Sequence, residues 1–129
     1  MKNKDIYVSA LRHIGENADV EGNEDYEERA PYLLAAFVGE AVQTAAEHAE
    51  ANGLCAPYAF ECVYLPLEAD FPFDKRFAGA AIMYLAAMLI IDENAELSDK
   101  LFDRYCDIMS SIRAELPTSI EKIAQRYGV

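Results

Sequence analysis

The sequence predicts a small all-α domain, and two observations carry that prediction. Residues 77–91 form an apolar run of fifteen residues without a charge, framed by charged residues on both sides. A helix that is apolar on every side must be buried on every side, and a bilayer-spanning helix needs ~20 residues. The flanking segments repeat apolar residues at helical spacing. We therefore expect about four main helices around a central apolar helix at 77–91, and no membrane span.

The first helix is expected from about Lys4 to Ile14. Asn3 and Asp5 offer side-chain oxygens for an N-cap. Gly15 can close the helix in a left-handed conformation, which residues other than glycine rarely adopt.

The second helix is expected to follow a polar loop and to end at Gly53. Its acidic opening suits a helix N-terminus. Pro31 interrupts the pattern, because a proline inside a helix removes a hydrogen bond and presses against the preceding turn. We expect either a kink at Pro31 or a short turn at Asp25–Arg29 followed by a new helix start. One face carries the apolar stripe Ala30, Leu34, Phe37, Val38, Ala41 and Ala45.

Residues 54–73 are expected to be irregular or to contain a short β element. Three prolines prevent a long helix there, and a strand or hairpin is expected at Phe60–Leu65. The apolar anchors of this segment are Tyr58, Phe60, Val63, Tyr64 and Leu65. They predict either a loop packed on the core or a surface that contacts another subunit.

The last long helix is expected to be capped by Ser98 and to end before Pro117. Its charged face carries Asp99, Asp103 and Asp107, a spacing typical of a solvated face rather than a metal site. Its apolar residues keep the 3.6 period at Leu101, Phe102, Tyr105, Ile108, Met109, Ile112 and Leu116.

The chain divides into a helical domain at 1–116 and a C-terminal tail at 117–129. Ile120, Ile123 and Tyr127 lie on one side of a helix in this tail. Such a short helix is not stable alone, so the tail is a candidate assembly element that docks on its own domain or on a neighbouring subunit.

Composition limits the classes of function. Eleven basic against twenty-three acidic residues give a net charge of -12, without a basic stripe, so tight binding of nucleic acid is disfavoured. Cys55, Cys62 and Cys106 lack C-x-x-C spacing and are expected to be reduced thiols in a cytosolic setting. The N-terminal residues show no secretory signal.

Signals for an enzyme are weak. The sequence lacks a nucleophile elbow, a Walker A loop, a Rossmann glycine fingerprint and a zincin motif. His13 and His48 have no carboxylate three residues before them, so the pattern of a di-iron bundle is absent. Both are expected at the surface or its boundary.

One glutamate pattern points to a different function. Glu24 and Glu27 are three residues apart, and Glu93 and Glu96 repeat that spacing. Carboxylates three apart on a helix can project together toward a magnesium ion that holds a nucleotide phosphate. A magnesium-dependent enzyme similar to the all-α nucleotide pyrophosphohydrolases is therefore an alternative interpretation. A cytosolic helical protein-interaction module is another.

Six segments carry a resemblance to a known family. They are ALRHIGE (10–16), EDYEER (24–29), FPFDKRF (71–77), YLAAMLIIDEN (84–94), LFDRYCDIM (101–109) and YG (127–128). Their order and spacing resemble the small helical head-tail connector (adaptor) proteins of tailed bacteriophages and prophages. None is a catalytic signature. The departures from the family pattern are Pro31 and the segment 54–65.

The resemblance implies a non-enzymatic virion protein without cofactor or metal. Such a protein forms a homo-oligomeric ring beneath the portal protein, contacts tail-completion proteins and surrounds a channel through which DNA passes without specific binding. It is expected in the virion, and in the bacterial host cytoplasm during assembly. An acidic lumen suits this role, because a basic one would retain phosphates. The expected protein-contact residues are Tyr58, Phe60, Tyr64, Ile120, Ile123 and Tyr127.

Overall fold

The computed structural model describes residues 1–16, 22–54 and 62–116. Within these ranges the chain forms four α-helices and a 3₁₀ turn, with no β-strand, which confirms the all-α prediction. No helix in the described ranges has the length and apolarity to span a membrane. The elements in chain order are α1 (Asn3–His13), α2 (Glu24–Ala51), the 3₁₀ turn (Lys75–Phe77), α3 (Ala78–Ile90) and α4 (Ala95–Ala114).

The central helix is α3, as the apolar run predicts. All the extensive helix–helix contacts involve α3, which packs against α1, α2 and α4. Five of its buried residues are alanines, whose small side chains allow neighbouring backbones to approach closely. Leu85 and Leu89 fill the space between the helices and are almost completely buried. The helix is one residue shorter at each end than predicted, because Phe77 belongs to the 3₁₀ turn and Ile91, which is 46% exposed, is the C-cap.

An aromatic cluster closes the core between α2, α4 and residues 62–77, which we call the segment before α3. Phe37 of α2 lies at its centre and is completely buried. Its ring centroid lies between 5.9 and 6.4 Å from the centroids of Phe71, Phe73, Tyr84 and Tyr105. The segment before α3 is therefore fixed to the core, although it contains no regular helix or strand before the 3₁₀ turn.

Two helices end in the same glycine motif, as predicted. Gly15 and Gly53 have φ angles of 79° and 68°. In each case the residue after glycine donates its N–H to a carbonyl five residues earlier, Glu16 to Leu11 and Leu54 to Ala49, both at 2.8 Å. This is the Schellman arrangement, which satisfies carbonyls that the helix itself leaves unpaired.

The start of α1 differs from the prediction. Asn3 is not an N-cap but a buried residue of α1, and its side-chain amide donates to the carbonyl of Pro66 at 2.9 Å. The backbone N–H groups of Asn3 and Lys4 donate to the carbonyls of Ala69 and Leu67, both at 2.9 Å. Asp5 instead accepts from the N–H of Lys2 at 3.0 Å. The expected capping role of Asp5 is therefore confirmed, whereas that of Asn3 is wrong because carbonyls of a distant loop bind the first N–H groups of the helix.

The start of α4 also differs. Asn94 is the N-cap, and its side chain accepts from the N–H of Leu97 at 3.0 Å. Ser98, the predicted cap, lies buried inside α4, and its hydroxyl donates to the carbonyl of Ala87 in α3 at 2.8 Å. The cap prediction was wrong because the serine satisfies its hydroxyl across the α3–α4 contact.

α2 continues without interruption through Pro31. The new helix start predicted at Pro31 is therefore wrong. Pro31 is buried, and its carbonyl accepts from the N–H of Leu65 at 3.0 Å. Burial of the ring contributes favourable free energy against the hydrogen bond that proline removes. The strand predicted at Phe60–Leu65 is not formed by residues 62–65, and Phe60 lies outside the described residues.

The C-terminal tail at 117–129 also lies outside the described residues. The prediction that it is an assembly element therefore stays a prediction, and so does the division between 1–116 and 117–129.

Truncation of the central helix should destabilise the domain strongly. Leu85→Ala and Leu89→Ala should each lower the free energy of unfolding by ~2 to 5 kcal/mol, because each leaves a cavity in a close-packed core. Ile91→Ala is the matched control, and its half-exposed position should limit the change to about 0.5 kcal/mol. Urea denaturation followed by circular dichroism measures all three. Equal effects at the three positions would contradict the central placement of α3.

Candidate interaction surface

Three exposed side chains form an apolar patch beside the first half of α2. The ring centroids of Tyr32 and Tyr64 are 5.1 Å apart with the rings edge to face. These two residues are 55% and 47% exposed, and Val63, the residue before Tyr64, is 80% exposed. We call Tyr32, Val63 and Tyr64 the tyrosine patch.

Two hydrogen bonds fix the loop that carries the patch. The N–H of Leu65 donates to the carbonyl of Pro31, the residue before Tyr32. The thiol of Cys62 donates to the carbonyl of Tyr64 at 2.9 Å, which closes a tight turn around Val63. Exposed aromatic side chains with polar tips are typical of protein–protein interfaces, where the ring is buried and the hydroxyl finds a partner.

Of the predicted contact residues, the structure places Tyr64 in this exposed patch. Tyr58, Phe60, Ile120, Ile123 and Tyr127 lie outside the described residues. Val63 was named among the apolar anchors of its segment but not among the expected contact residues. Tyr32 was missed, although the helical period contains a signal for it. Tyr32 is out of phase with the apolar stripe of α2, so it must face away from the core.

A pocket of about 200 Å³ lies at the other end of α2. One wall is formed by Ala45, His48 and Ala49 of α2. The other is formed by Pro72, Phe73, Asp74 and Phe77, so the lining includes one carboxylate. Leu54, which is 55% exposed, also lines the pocket. We call this the His48 pocket.

His48 itself corrects a prediction. It was expected at the surface or its boundary, but it is only 5% exposed. The segment before α3 covers it, and its ring meets the ring of Phe77 edge to face at 5.8 Å. Its Nε2 atom is buried and has no hydrogen-bond partner among the residues that the structure describes. His13, in contrast, is exposed as expected.

The carboxylates of the magnesium hypothesis do not converge. Glu24, Glu27, Glu93 and Glu96 all lie in the described residues, where no group of three or more His, Cys, Asp or Glu side chains is arranged to hold a metal ion. Glu96 lies in the first turn of α4. Glu93 instead accepts a hydrogen bond from the hydroxyl of Tyr26.

The contact between Tyr26 and Glu93 belongs to a polar corner that joins α2 to the end of α3. Arg29 donates to the carbonyl of Leu89 at 2.9 Å, near the C-terminus of α3 where carbonyls lack helical partners. Arg29 also pairs with Asp25 at 3.1 Å, and its guanidinium lies 5.7 Å from the ring centroid of Tyr26. The corner therefore has a structural role.

Three tyrosines have strongly raised pKa values. The hydrogen bond to Glu93, followed by burial, raises the pKa of Tyr26 to about 12. Burial, reinforced by the negative charge of Glu27, raises the pKa of Tyr7 to about 12. Burial, reinforced by Glu40, raises the pKa of Tyr105 to about 12.

These shifts predict loss of stability at alkaline pH. Below about pH 10 the tyrosines are protonated in both states, whereas between about pH 10 and 12 the unfolded chain loses protons that the folded chain retains. The free energy of unfolding should therefore fall as pH rises through this window. Absorbance of tyrosinate during a pH titration should show late-ionising tyrosines in the native protein and none in denaturant.

Tyr26→Phe provides the control for the alkaline titration. It should remove one late-ionising group and reduce the loss of stability, because the phenol bonded to Glu93 is gone. Ionisation of every tyrosine near pH 10 in the native protein would contradict the burial and hydrogen bonding described for these side chains.

The part of the chain that the structure describes thus carries an exposed apolar patch and a pocket. The tyrosine patch can lose water against an apolar partner, and the His48 pocket can receive a side chain. Comparison of the chain with protein-family models, with curated proteins and with solved structures gave no match.

Proposed function

We propose that this chain is a non-enzymatic structural protein of tailed bacteriophages or prophages. It acts as a head-tail connector that forms a ring, bridges the portal protein to tail-completion proteins and lines the DNA channel. The observation that carries the proposal is the tyrosine patch. Tyr32, Val63 and Tyr64 are exposed on a strongly acidic helical domain, which favours contact with protein.

The segments that resemble the connector family have structural roles, and this supports the proposal. FPFDKRF supplies Phe71, Phe73 and Phe77 to the aromatic cluster. EDYEER supplies Tyr26 and Arg29 to the corner at the end of α3. Proteins that share a fold are expected to be similar at the positions that determine the fold.

The charge of the chain also supports a channel-lining role. The net charge is -12, and the row Asp99, Asp103 and Asp107 on α4 is exposed. Such a surface repels phosphates, so a ring built from it lets DNA pass without retaining it. The magnesium-dependent alternative lacks comparable support, because its four glutamates do not converge.

The test of this function is the composition of virions. Particles should be induced from the bacterium that carries the gene, purified on a density gradient and digested for mass spectrometry. Peptides of this chain should be present at a constant ratio to the portal protein, and the chain should occur in the host cytoplasm before lysis. Particles that contain portal and tail proteins but lack this chain would overturn the proposal in favour of a cytosolic interaction module.

A second expected result concerns DNA. At ~0.15 M salt the purified protein should show no appreciable affinity for duplex DNA, because it has no basic stripe to release counterions. Fluorescence anisotropy with a labelled duplex measures this affinity. A basic DNA-binding protein serves as the positive control. Submicromolar binding would contradict a channel through which DNA slides freely.

A further inference from the structure

Two contacts fix the last turn of α4 beside the His48 pocket. Arg113 donates from its Nε atom to the hydroxyl of Thr44 in α2 at 3.4 Å. Glu115, the C-cap of α4, pairs with Arg76 in the 3₁₀ turn. Thr44 and Arg76 each directly precede a residue that lines the pocket, one in each wall. The described chain therefore ends at Leu116 close to both walls of the pocket.

The pocket is suited to an aliphatic side chain. Its apolar lining residues are Ala45, Ala49, Leu54, Pro72, Phe73 and Phe77. Leu54 is 55% exposed at the rim, so an occupant of the pocket would also cover this side chain. An apolar cavity of about 150 Å³ holds a benzene molecule. The volume of about 200 Å³ is therefore large enough for one branched aliphatic side chain.

The tail at 117–129 follows directly from this point and carries side chains of the matching kind. In a helix, Ile120, Ile123 and Tyr127 lie on one side. Ile120 is only four residues beyond Leu116, and at ~3.3 to 3.6 Å per residue it can lie up to ~14 Å from it. The apolar side of the tail therefore begins within reach of the pocket.

The charges of the tail and of the pocket have opposite signs. The tail carries two basic residues and one acidic residue, Glu121, whereas the chain as a whole carries eleven basic and twenty-three acidic residues. Asp74 is an exposed residue of the pocket lining, and its Oδ1 atom accepts from the N–H of Arg76 at 3.0 Å. Arg126 borders the apolar side of the tail helix, about 60° around the axis from Ile123. Docking on its own domain brings this guanidinium toward the carboxylate of Asp74.

We propose that the tail of this chain occupies the His48 pocket of its own domain, with Ile123 inserted and Arg126 against Asp74. The tail is tethered at the rim of the pocket. A short tether gives an effective concentration in the mM range, which a second copy does not reach in dilute solution. Of the two sites expected for the tail, its own domain and a neighbouring subunit, the position of Leu116 favours the first. The proposal does not depend on the connector role.

Hydrogen exchange of the full chain, followed by mass spectrometry, tests whether the tail is docked. Its amides should exchange about tenfold or more slowly than those of a synthetic peptide of residues 117–129, because a docked segment must open before it exchanges. Ile123→Ser and Leu54→Ser should each remove most of this protection. Two matched controls should retain it. They are Gln125→Ser, on the opposite side of the tail helix, and Ile91→Ser, an exposed apolar residue at the far end of α3.

Amide chemical shifts locate the docking site on the domain. In the full chain, Ile123→Ser should move the N–H signals of residues that line the pocket, such as Ala49, Leu54 and Phe77, and leave those of the tyrosine patch in place. Gln125→Ser should move neither set. Shifts confined to the tyrosine patch, or absent from both surfaces, would overturn the proposal.

A double-mutant cycle tests the charge pair. Asp74→Asn removes the charge and keeps an oxygen that can accept from the N–H of Arg76. Asp74→Asn and Arg126→Gln should each speed exchange of the tail by up to about fivefold, as expected for an exposed ion pair. The double variant should exchange no faster than the single variants, because both remove the same contact. Lys122→Gln, farther from the apolar side of the tail helix, should have a smaller effect. Additive effects, or none, would overturn the proposed orientation of the tail.

Dilution separates docking on the same domain from docking on a second copy. Protection of a tethered tail does not depend on protein concentration, whereas a tail docked on a neighbour loses protection when the protein is diluted. Circular dichroism should show the same helical domain in every variant, so that faster exchange reports undocking. Protection that falls on dilution, wild-type exchange as fast as that of the peptide, or unchanged protection in both Ile123→Ser and Leu54→Ser would each contradict the proposal.

Discussion

The fold depends on burying α3 from several sides at once. α1, α2 and α4 make their extensive contacts with this helix, and the aromatic cluster around Phe37 closes the space between α2, α4 and the segment before α3. Because α3 carries apolar residues on every side, its three neighbours pack around it. The polar links reinforce this arrangement, since Arg29 and Ser98 both donate to carbonyls of α3.

Local signals in the sequence were sufficient for the helices and their ends. The apolar run predicted α3 to within one residue at each end, and Gly15 and Gly53 end α1 and α2 because they adopt positive φ angles. Polar residues in the core were not predictable in this way. Asn3 and Ser98 have distant carbonyls as partners, and His48 is covered by a segment that follows it by more than twenty residues. No pattern of neighbouring residues reveals such partners.

The candidate surface was predicted in part. Tyr64 was identified from the apolar character of its segment, but its partner Tyr32 is distant in sequence and belongs to a helix. The spacing of Glu24 and Glu27 with Glu93 and Glu96 suggested a metal site because helical periodicity aligns such pairs. In the folded chain one of them is bound to Tyr26 instead. Spacing within a helix determines which face a residue lies on, whereas convergence of two pairs depends on how the helices pack.

The alanines of α3 have a consequence for how this protein can change over time. Ala80, Ala81, Ala86 and Ala87 have no exposed surface, so even one added methyl group meets a neighbouring helix and forces displacement. Substitutions there become tolerable only together with a smaller residue on the facing helix. The interior along α3 should therefore diverge slowly and in coupled pairs.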